Sequence, residues 1–203
     1  MTVAFRIVLS LLIIPLACSR LPQEEPTEFP IHAVWEGACA NGRQGSVTGS
    51  LATVSKRTTY TFFKDQAIRI DEKFNKNDCL QPNRMWSLRM QGNFSIDTSL
   101  APEPVMQPID FSFKRLEAIA HSTGGTEDLQ YLYGTEVKYE IDKAVNITYL
   151  PHNVKMVYFD VYQISDEKLH LGLLTDQFDG ETEATRPVEI ATGLSARVFV
   201  KSP

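Results

Sequence analysis

Cysteine is scarce in this chain, and so are the motifs that identify common enzymes. The 203 residues contain three cysteines, Cys18, Cys39 and Cys79. The sequence has no Gly-x-Ser-x-Gly elbow, no phosphate-binding loop and no dinucleotide-binding fingerprint. No catalytic residue and no cofactor is therefore predicted, although a triad assembled only in the folded chain remains open.

Basic charge is also sparse. The formal net charge is −5, and Lys and Arg form no block along the chain. A mildly acidic chain of this kind is a poor partner for nucleic acid or for an anionic membrane surface. The four histidines, His32, His121, His152 and His170, stand at no metal-binding spacing. No metal site is predicted, although folding could still bring two or three of them together.

The N-terminus carries the longest apolar run. Residues 7–17 are almost wholly apolar, follow a short segment with one positive charge, and precede Cys18 and a polar, proline-rich stretch. This run is too short to span a membrane and has the layout of a secretory signal peptide, predicted over residues 1–17. Leu16-Ala17-Cys18 resembles the end of a bacterial lipobox, although Pro15 stands where that motif usually has leucine. Ordinary secretion with a different cleavage site is the alternative.

Cleavage before Cys18 would leave a lipidated cysteine as a membrane anchor. Residues 18–29 then read as a flexible tether, and residues 30–203 as one domain that buries roughly 70% of its unfolded surface. Ser19 follows the cysteine, and there is no aspartate at that place. The lipobox resemblance therefore implies an exported outer-membrane lipoprotein that faces the periplasm or the cell surface.

With the leader set aside and Cys18 assigned to the lipid anchor, Cys39 and Cys79 are the cysteines left to pair. Export makes a disulfide between them chemically possible, and closing this loop would stabilise the fold by roughly 4 kcal/mol. Two reduced, buried cysteines are the alternative. Between them, residues 58–63 and 67–74 have the composition of two strands, with Lys64, Asp65 and Gln66 as the turn.

Alternating patterns predict which faces of the strands are buried. In residues 67–74, Ile68, Ile70 and Phe74 share one face with Glu72, and Arg69, Asp71 and Lys73 take the other. Residues 85–97 alternate over the whole segment, which predicts one long antiparallel strand with a dry and a wet side. Gly92 in its middle predicts a bulge or a sharp bend.

The rest of the chain repeats the strand signal. We predict strands at residues 30–37, 109–114, 116–121, 136–141, 145–150, 154–164, 169–174 and 195–201, and one short helix capped by Thr126 and ended by Gly134. Residues 41–55 fit a long loop or an edge strand. The fold class predicted is all-β: a single antiparallel β-barrel, or strongly curved lipocalin-like sheet, of about eight to ten strands with one short helix.

Several short motifs resemble a known family. They are Trp35-x-x-x-Cys39, Tyr60-x-Phe62, Asp78-Cys79-x-x-Pro82, Gly92-x-Phe94-x-Ile96, Tyr162-x-Ile164-x-x-x-x-Leu169 and Arg186-Pro187. Together they are similar to the extracellular domain of adenomatosis-polyposis-coli-down-regulated proteins and to bacterial lipocalin-like lipoproteins with such a domain. The resemblance covers most of residues 35–200 and implies a binding domain for lipid or acyl groups rather than an enzyme. Tyr133 departs from it, because a further cysteine is expected just before Gly134.

Large aromatic residues on the predicted inner faces are candidates for lining a ligand cavity. They are Tyr60, Phe62, Phe74, Trp86, Phe94, Phe111, Phe113 and Tyr158. A solid core is the alternative, because barrels of about eight strands are either filled or just wide enough for one small ligand. Glu72 and Asp160 also fall on largely apolar faces, where each could orient a ligand's polar end or simply mark a strand end or a bulge.

Three functions follow from these patterns. The first is an envelope lipoprotein that binds a hydrophobic ligand, a lipid or an acyl chain, in the barrel. The second is a structural or interaction module with a filled core and an unknown protein partner. The third is a hydrolase without a recognisable motif, which a concave site with a serine or acid bonded to His121, His152 or His170 would favour.

Overall fold

The computed structural model describes residues 30–45, 51–96, 106–150, 154–193 and 196–202. The predicted signal peptide, Cys18 and the tether lie outside these ranges, as does His152. Within them, no helix is long and apolar enough to span a membrane.

Strands dominate the fold. In chain order the elements are β1 Val34–Gly37, β2 Ala40–Gly45, β3 Leu51–Phe63, β4 Gln66–Phe74, β5 Arg84–Ile96, β6 Gln107–Ala120, α1 Thr123–Tyr133, β7 Ala144–Asn146, β8 Val157–Ser165, β9 Lys168–Leu171 and β10 Val198–Lys201. Short 3-10 turns occupy Gln81–Asn83 and Glu183–Thr185.

Eight of the strands close into an antiparallel barrel. Their order is β1, β10, β9, β8, β6, β5, β4 and β3, and β1 pairs with β3 to complete the circle. β2 pairs with the first half of β3, which β1 does not reach. β7 pairs with the second half of β6, beyond the part of β6 that pairs with β8. The prediction of an all-β single barrel with one short helix is confirmed. Closure removes the free sheet edges and leaves an inside that side chains must fill or a ligand must enter.

Two local features match the sequence closely. β3 and β4 form the predicted hairpin, and Lys64 in its turn has a positive φ of 56°. The predicted irregularity at Gly92 is a β-bulge, where the register between β5 and β6 shifts between Gln91 and Gly92. A Cβ atom at Gly92 would lie 2.1 Å from the carbonyl oxygen of Ser112, so only glycine lets β6 approach this closely.

The helix begins earlier than the sequence suggests. Its N-cap is Ser122, whose hydroxyl accepts a hydrogen bond from the Gly125 amide, so the prediction of Thr126 as cap is wrong. Gly124 and Gly125 both lie inside α1. Gly125 packs against the backbone of β5, where a Cβ would be 1.9 Å from the oxygen of Met85. The helix ends at Gly134 as predicted.

Two predicted strands after the helix are largely absent from the described chain. Residues 136–141 form turns with one isolated bridge, between Ile141 and Ala120, and residues 145–150 contribute only the end of the short β7. The apolar residues of this segment instead pack as a loop on the barrel, with Tyr139 and Ile147 buried. Apolar alternation alone therefore overstated the strand content here.

A disulfide joins Cys39 and Cys79, as predicted. It links the segment after β1 to the segment after β4, across a separation of 40 residues. The core of the barrel is continuous from Trp35 on β1 to Phe199 on β10.

Candidate functional site in the barrel lumen

Most of the predicted aromatic lining lies on the inside of the barrel. Tyr60, Phe62, Trp86, Phe94, Phe111, Phe113 and Tyr158 all belong to the continuous core. Phe62 packs against Phe94 with ring centroids 4.9 Å apart, and Phe111 stacks on Tyr158 at 4.5 Å. At this level the barrel is filled by its own side chains.

A hydrogen bond crosses the lumen. The hydroxyls of Tyr60 on β3 and Tyr158 on β8 lie 2.9 Å apart, although these strands are not neighbours in the sheet. Burial raises the pKa of the Tyr158 phenol well above its usual range. We call this pair of hydrogen-bonded residues the tyrosine floor.

The faces of β4 are the reverse of the prediction. Arg69 pairs directly with Tyr60 on one side and Met90 on the other, and both of these residues point inward. Because directly opposed residues share a face of the sheet, Arg69 points inward too, together with Asp71 and Lys73. Ile68 and Ile70 lie on the outer face. The face predicted to contribute Phe74 to the lining is therefore the outer one.

Arg69 is positioned on the floor by charge and by aromatic faces. Its guanidinium carbon lies 5.8 Å from the ring centre of Tyr60 and 6.0 Å from that of Tyr158, which are cation–π distances. Its Nε donates to Asp71 Oδ1 at 3.0 Å, and Nη2 lies 2.9 Å from Oδ2. Thr58 also donates to Asp71, at 2.7 Å.

This ion pair is only partly buried. The side chains of Arg69 and Asp71 remain 27% and 25% accessible. Their strand neighbours Tyr60 and Met90 are 1% and 0% exposed. Since Arg69 points inward from the middle of β4, its accessible surface faces the lumen.

Helix α1 covers this end of the barrel. Asp128 on the helix forms an ion pair with Lys73 at 2.7 Å and accepts a hydrogen bond from the indole nitrogen of Trp86. Leu129 beside it is fully buried. Near them, burial and the charges of Asp71 and Asp128 raise the pKa of Tyr133 to about 12. The helix thus contributes a carboxylate and an apolar side chain to the lumen.

Phe74 does not belong to the lining. It is fully buried, but it lies outside the continuous core cluster and has the guanidinium of Arg57 over its ring at 5.5 Å. A register shift between Lys73 and Phe74 interrupts the alternation at this point. The prediction for Phe74 is therefore wrong, because Phe74 lies with Glu72 on the outer face of β4, where Arg57 covers its ring.

The two acids predicted on apolar faces serve the scaffold. Glu72 points outward and binds Arg57 at 2.8 Å and Arg84 at 2.8 Å. Asp160 points inward and is fully buried; it binds Arg197 at 2.8 Å and accepts the amides of Val161 and Gly172. Burial raises the pKa of Asp160, while these partners oppose the shift. Neither carboxylate is available to a ligand.

A serine, a histidine and an aspartate form a hydrogen-bonded series outside the lumen. Ser87 Oγ lies 3.0 Å from His121 Nε2, and His121 Nδ1 lies 2.7 Å from Asp142 Oδ1. Asp142 has a positive φ of 59°. Sequence reasoning named His121 but neither partner, because Asp142 is brought to it by the loop after α1.

An open groove of about 710 Å³ lies on the outer surface beside the disulfide. Leu80 and Val200 in it are more than half exposed. The described residues contain no group of three His, Cys, Asp or Glu side chains arranged to hold a metal ion.

Comparison with known proteins does not assign the chain to a family. No protein-family model matches the chain, and no curated protein matches it significantly. The site must therefore be interpreted from its own chemistry.

Proposed function

We propose that this protein is an exported binding protein that takes a hydrophobic ligand, a lipid or an acyl chain, into the barrel lumen. The observation that carries the proposal is the accessible surface of Arg69, which points inward from the middle of a closed barrel. A lumen built only as a solid core has no reason to keep a charged side chain accessible at that depth.

Apolar residues of the core lie at the same end of the barrel as this ion pair. Leu88 and Ala118 oppose one another across β5 and β6 and point inward, and Leu129 on α1 belongs to the same core. Ligand sites are mostly apolar with a few placed polar groups, and the Arg69–Asp71 pair supplies such groups. We retain from the sequence the proposal of a lipid anchor at Cys18, which would place the barrel at the outer membrane.

Blocking the lumen tests this function. Thr58 points inward beside Asp71, and Thr59 points outward from the next position of β3. Thr58→Phe should reduce binding of a fluorescent fatty acid at least tenfold, whereas Thr59→Phe should leave it unchanged. Equal binding by both variants, each shown to be folded by circular dichroism, would exclude the lumen as the site. Absence of binding by the wild type would favour the interaction module instead.

A serine hydrolase is the second candidate, and the Ser87–His121–Asp142 series favours it. Two observations rank it lower. Ser87 is only 3% exposed near the start of β5, and Glu72 lies opposite it on the same face, where its charge would oppose an oxyanion. A fluorophosphonate probe should therefore leave the wild type unlabelled. Labelling that disappears in Ser87→Ala would establish the hydrolase.

A further inference from the structure

We infer that the ligand is an amphipathic acid whose carboxylate binds Arg69. This inference rests on the proposed function, because it assumes that the lumen accepts a ligand. It adds the head group and its position on the tyrosine floor.

The guanidinium of Arg69 is occupied on one side only. Nε and Nη2 face Asp71, and in the described part of the chain Nη1 donates to no protein atom. An arginine guanidinium is a planar fork that binds carboxylates through two nitrogens and stays charged at all relevant pH values. The free edge of Arg69, together with its accessible surface, is therefore a donor site for an anion.

Asp71 does not prevent a second carboxylate from binding. On the outer face of the same barrel, Arg57 holds two carboxylates at once: Nη1 lies 2.6 Å from Glu36, and Nη2 lies 2.8 Å from Glu72. Asp71 lowers the affinity for an anion by like-charge repulsion, while fixing the plane of the guanidinium. Removing the charge of Asp71 should therefore raise the affinity for an anion, whereas removing the charge of Arg69 should lower it.

The other cation at this end of the barrel is less suited to the role. Lys73 is only 6% accessible and is packed against Asp128 and the ring of Trp86.

The test compares two ligands with the same chain, hexadecanoic acid and hexadecanol, by competition against a fluorescent probe. The wild type should prefer the acid. Arg69→Gln should reduce binding of the acid by roughly ten- to hundredfold, the loss expected for hydrogen bonds to a charged group, and leave the alcohol nearly unchanged. Arg115→Gln, which removes an exposed arginine from the outer face, is the matched control and should change neither affinity.

Asp71→Asn should change the affinity for the acid in the opposite direction to Arg69→Gln. It removes the competing charge, so the acid should bind more tightly while the alcohol does not. If Arg69→Gln fails to fold, the double variant Arg69→Gln/Asp71→Asn removes the pair without leaving an unpaired charge.

The wild-type comparison needs no variant. Equal affinity for acid and alcohol would overturn the head-group site and leave lipid binding intact. Failure of both ligands to bind would overturn the proposed function itself.

Discussion

The ammonium of Lys73 lies 2.7 Å from Asp128 Oδ2, so a charge on the inner face of β4 holds α1 in the end of the barrel. The Trp86 indole donates to the same carboxylate oxygen. One acid on the helix thus connects two neighbouring strands, β4 and β5, to the element that covers the proposed ligand space.

Removing this acid should loosen the helix. Asp128→Ala leaves Lys73 buried without a partner, and we expect a loss of about 2–3 kcal/mol in the free energy of unfolding, measured in urea. Glu127→Ala, at the exposed neighbouring position of α1, should change it by less than about 0.5 kcal/mol. An equal loss in both variants would contradict the role assigned to the Lys73–Asp128 contact.

Two adjacent glycines of α1 should respond oppositely to alanine. A Cβ at Gly124 would meet only the end of the Met85 side chain, at 3.7 Å, whereas a Cβ at Gly125 would lie 1.9 Å from the Met85 oxygen. Gly124→Ala should stabilise the protein by about 0.5–1 kcal/mol through helix propensity. Gly125→Ala should destabilise it by about 1–3 kcal/mol, because α1 must move away from β5. Thermal unfolding of the two variants distinguishes these outcomes.

The disulfide should contribute strongly to stability. Its 40-residue separation corresponds to about 4 kcal/mol of loop-closure entropy in the unfolded chain. Cys39→Ser/Cys79→Ser should lose about this much in urea denaturation. The wild type should lose a similar amount after reduction, whereas the double variant should be insensitive to the reductant.

Tyr133 should make stability depend on alkaline pH. Its folded-state pKa is raised to about 12 from an ordinary value of 10.0. The unfolded chain therefore loses this proton first, so the contribution of Tyr133 is complete below pH 10.0 and decreases as the pH rises toward 12. Tyr133→Phe should show a smaller decrease in unfolding free energy between these limits. An identical decrease in both proteins would contradict the assigned environment.

The sequence predicted those parts of the fold that depend on local rules. The β3–β4 hairpin follows from a short turn between alternating segments, and the bulge at Gly92 follows from a glycine inside a long strand. The pairing of Cys39 with Cys79 follows from elimination, once the predicted leader and anchor are set aside. Each of these signals lies in the residues that form the feature.

The inner face of β4 could not be predicted in this way. Alternation identifies two faces of a strand but does not say which one is inside, and the rule that the apolar face points inward fails where the lumen is polar. Inside the barrel, Lys73 binds Asp128, and Arg69 packs on the ring of Tyr158. Both partners lie far away in the sequence. The helix cap was missed for a related reason, since Gly125 is needed for packing against β5.

The most direct test is native mass spectrometry of the domain from Pro22 onward, expressed in a bacterial periplasm. We predict an additional mass that denaturation releases as a fatty acid or other acyl lipid, and that is missing from Thr58→Phe but present in Thr59→Phe. A wild-type protein without bound ligand, which also takes up nothing from a mixed lipid extract, would contradict the account.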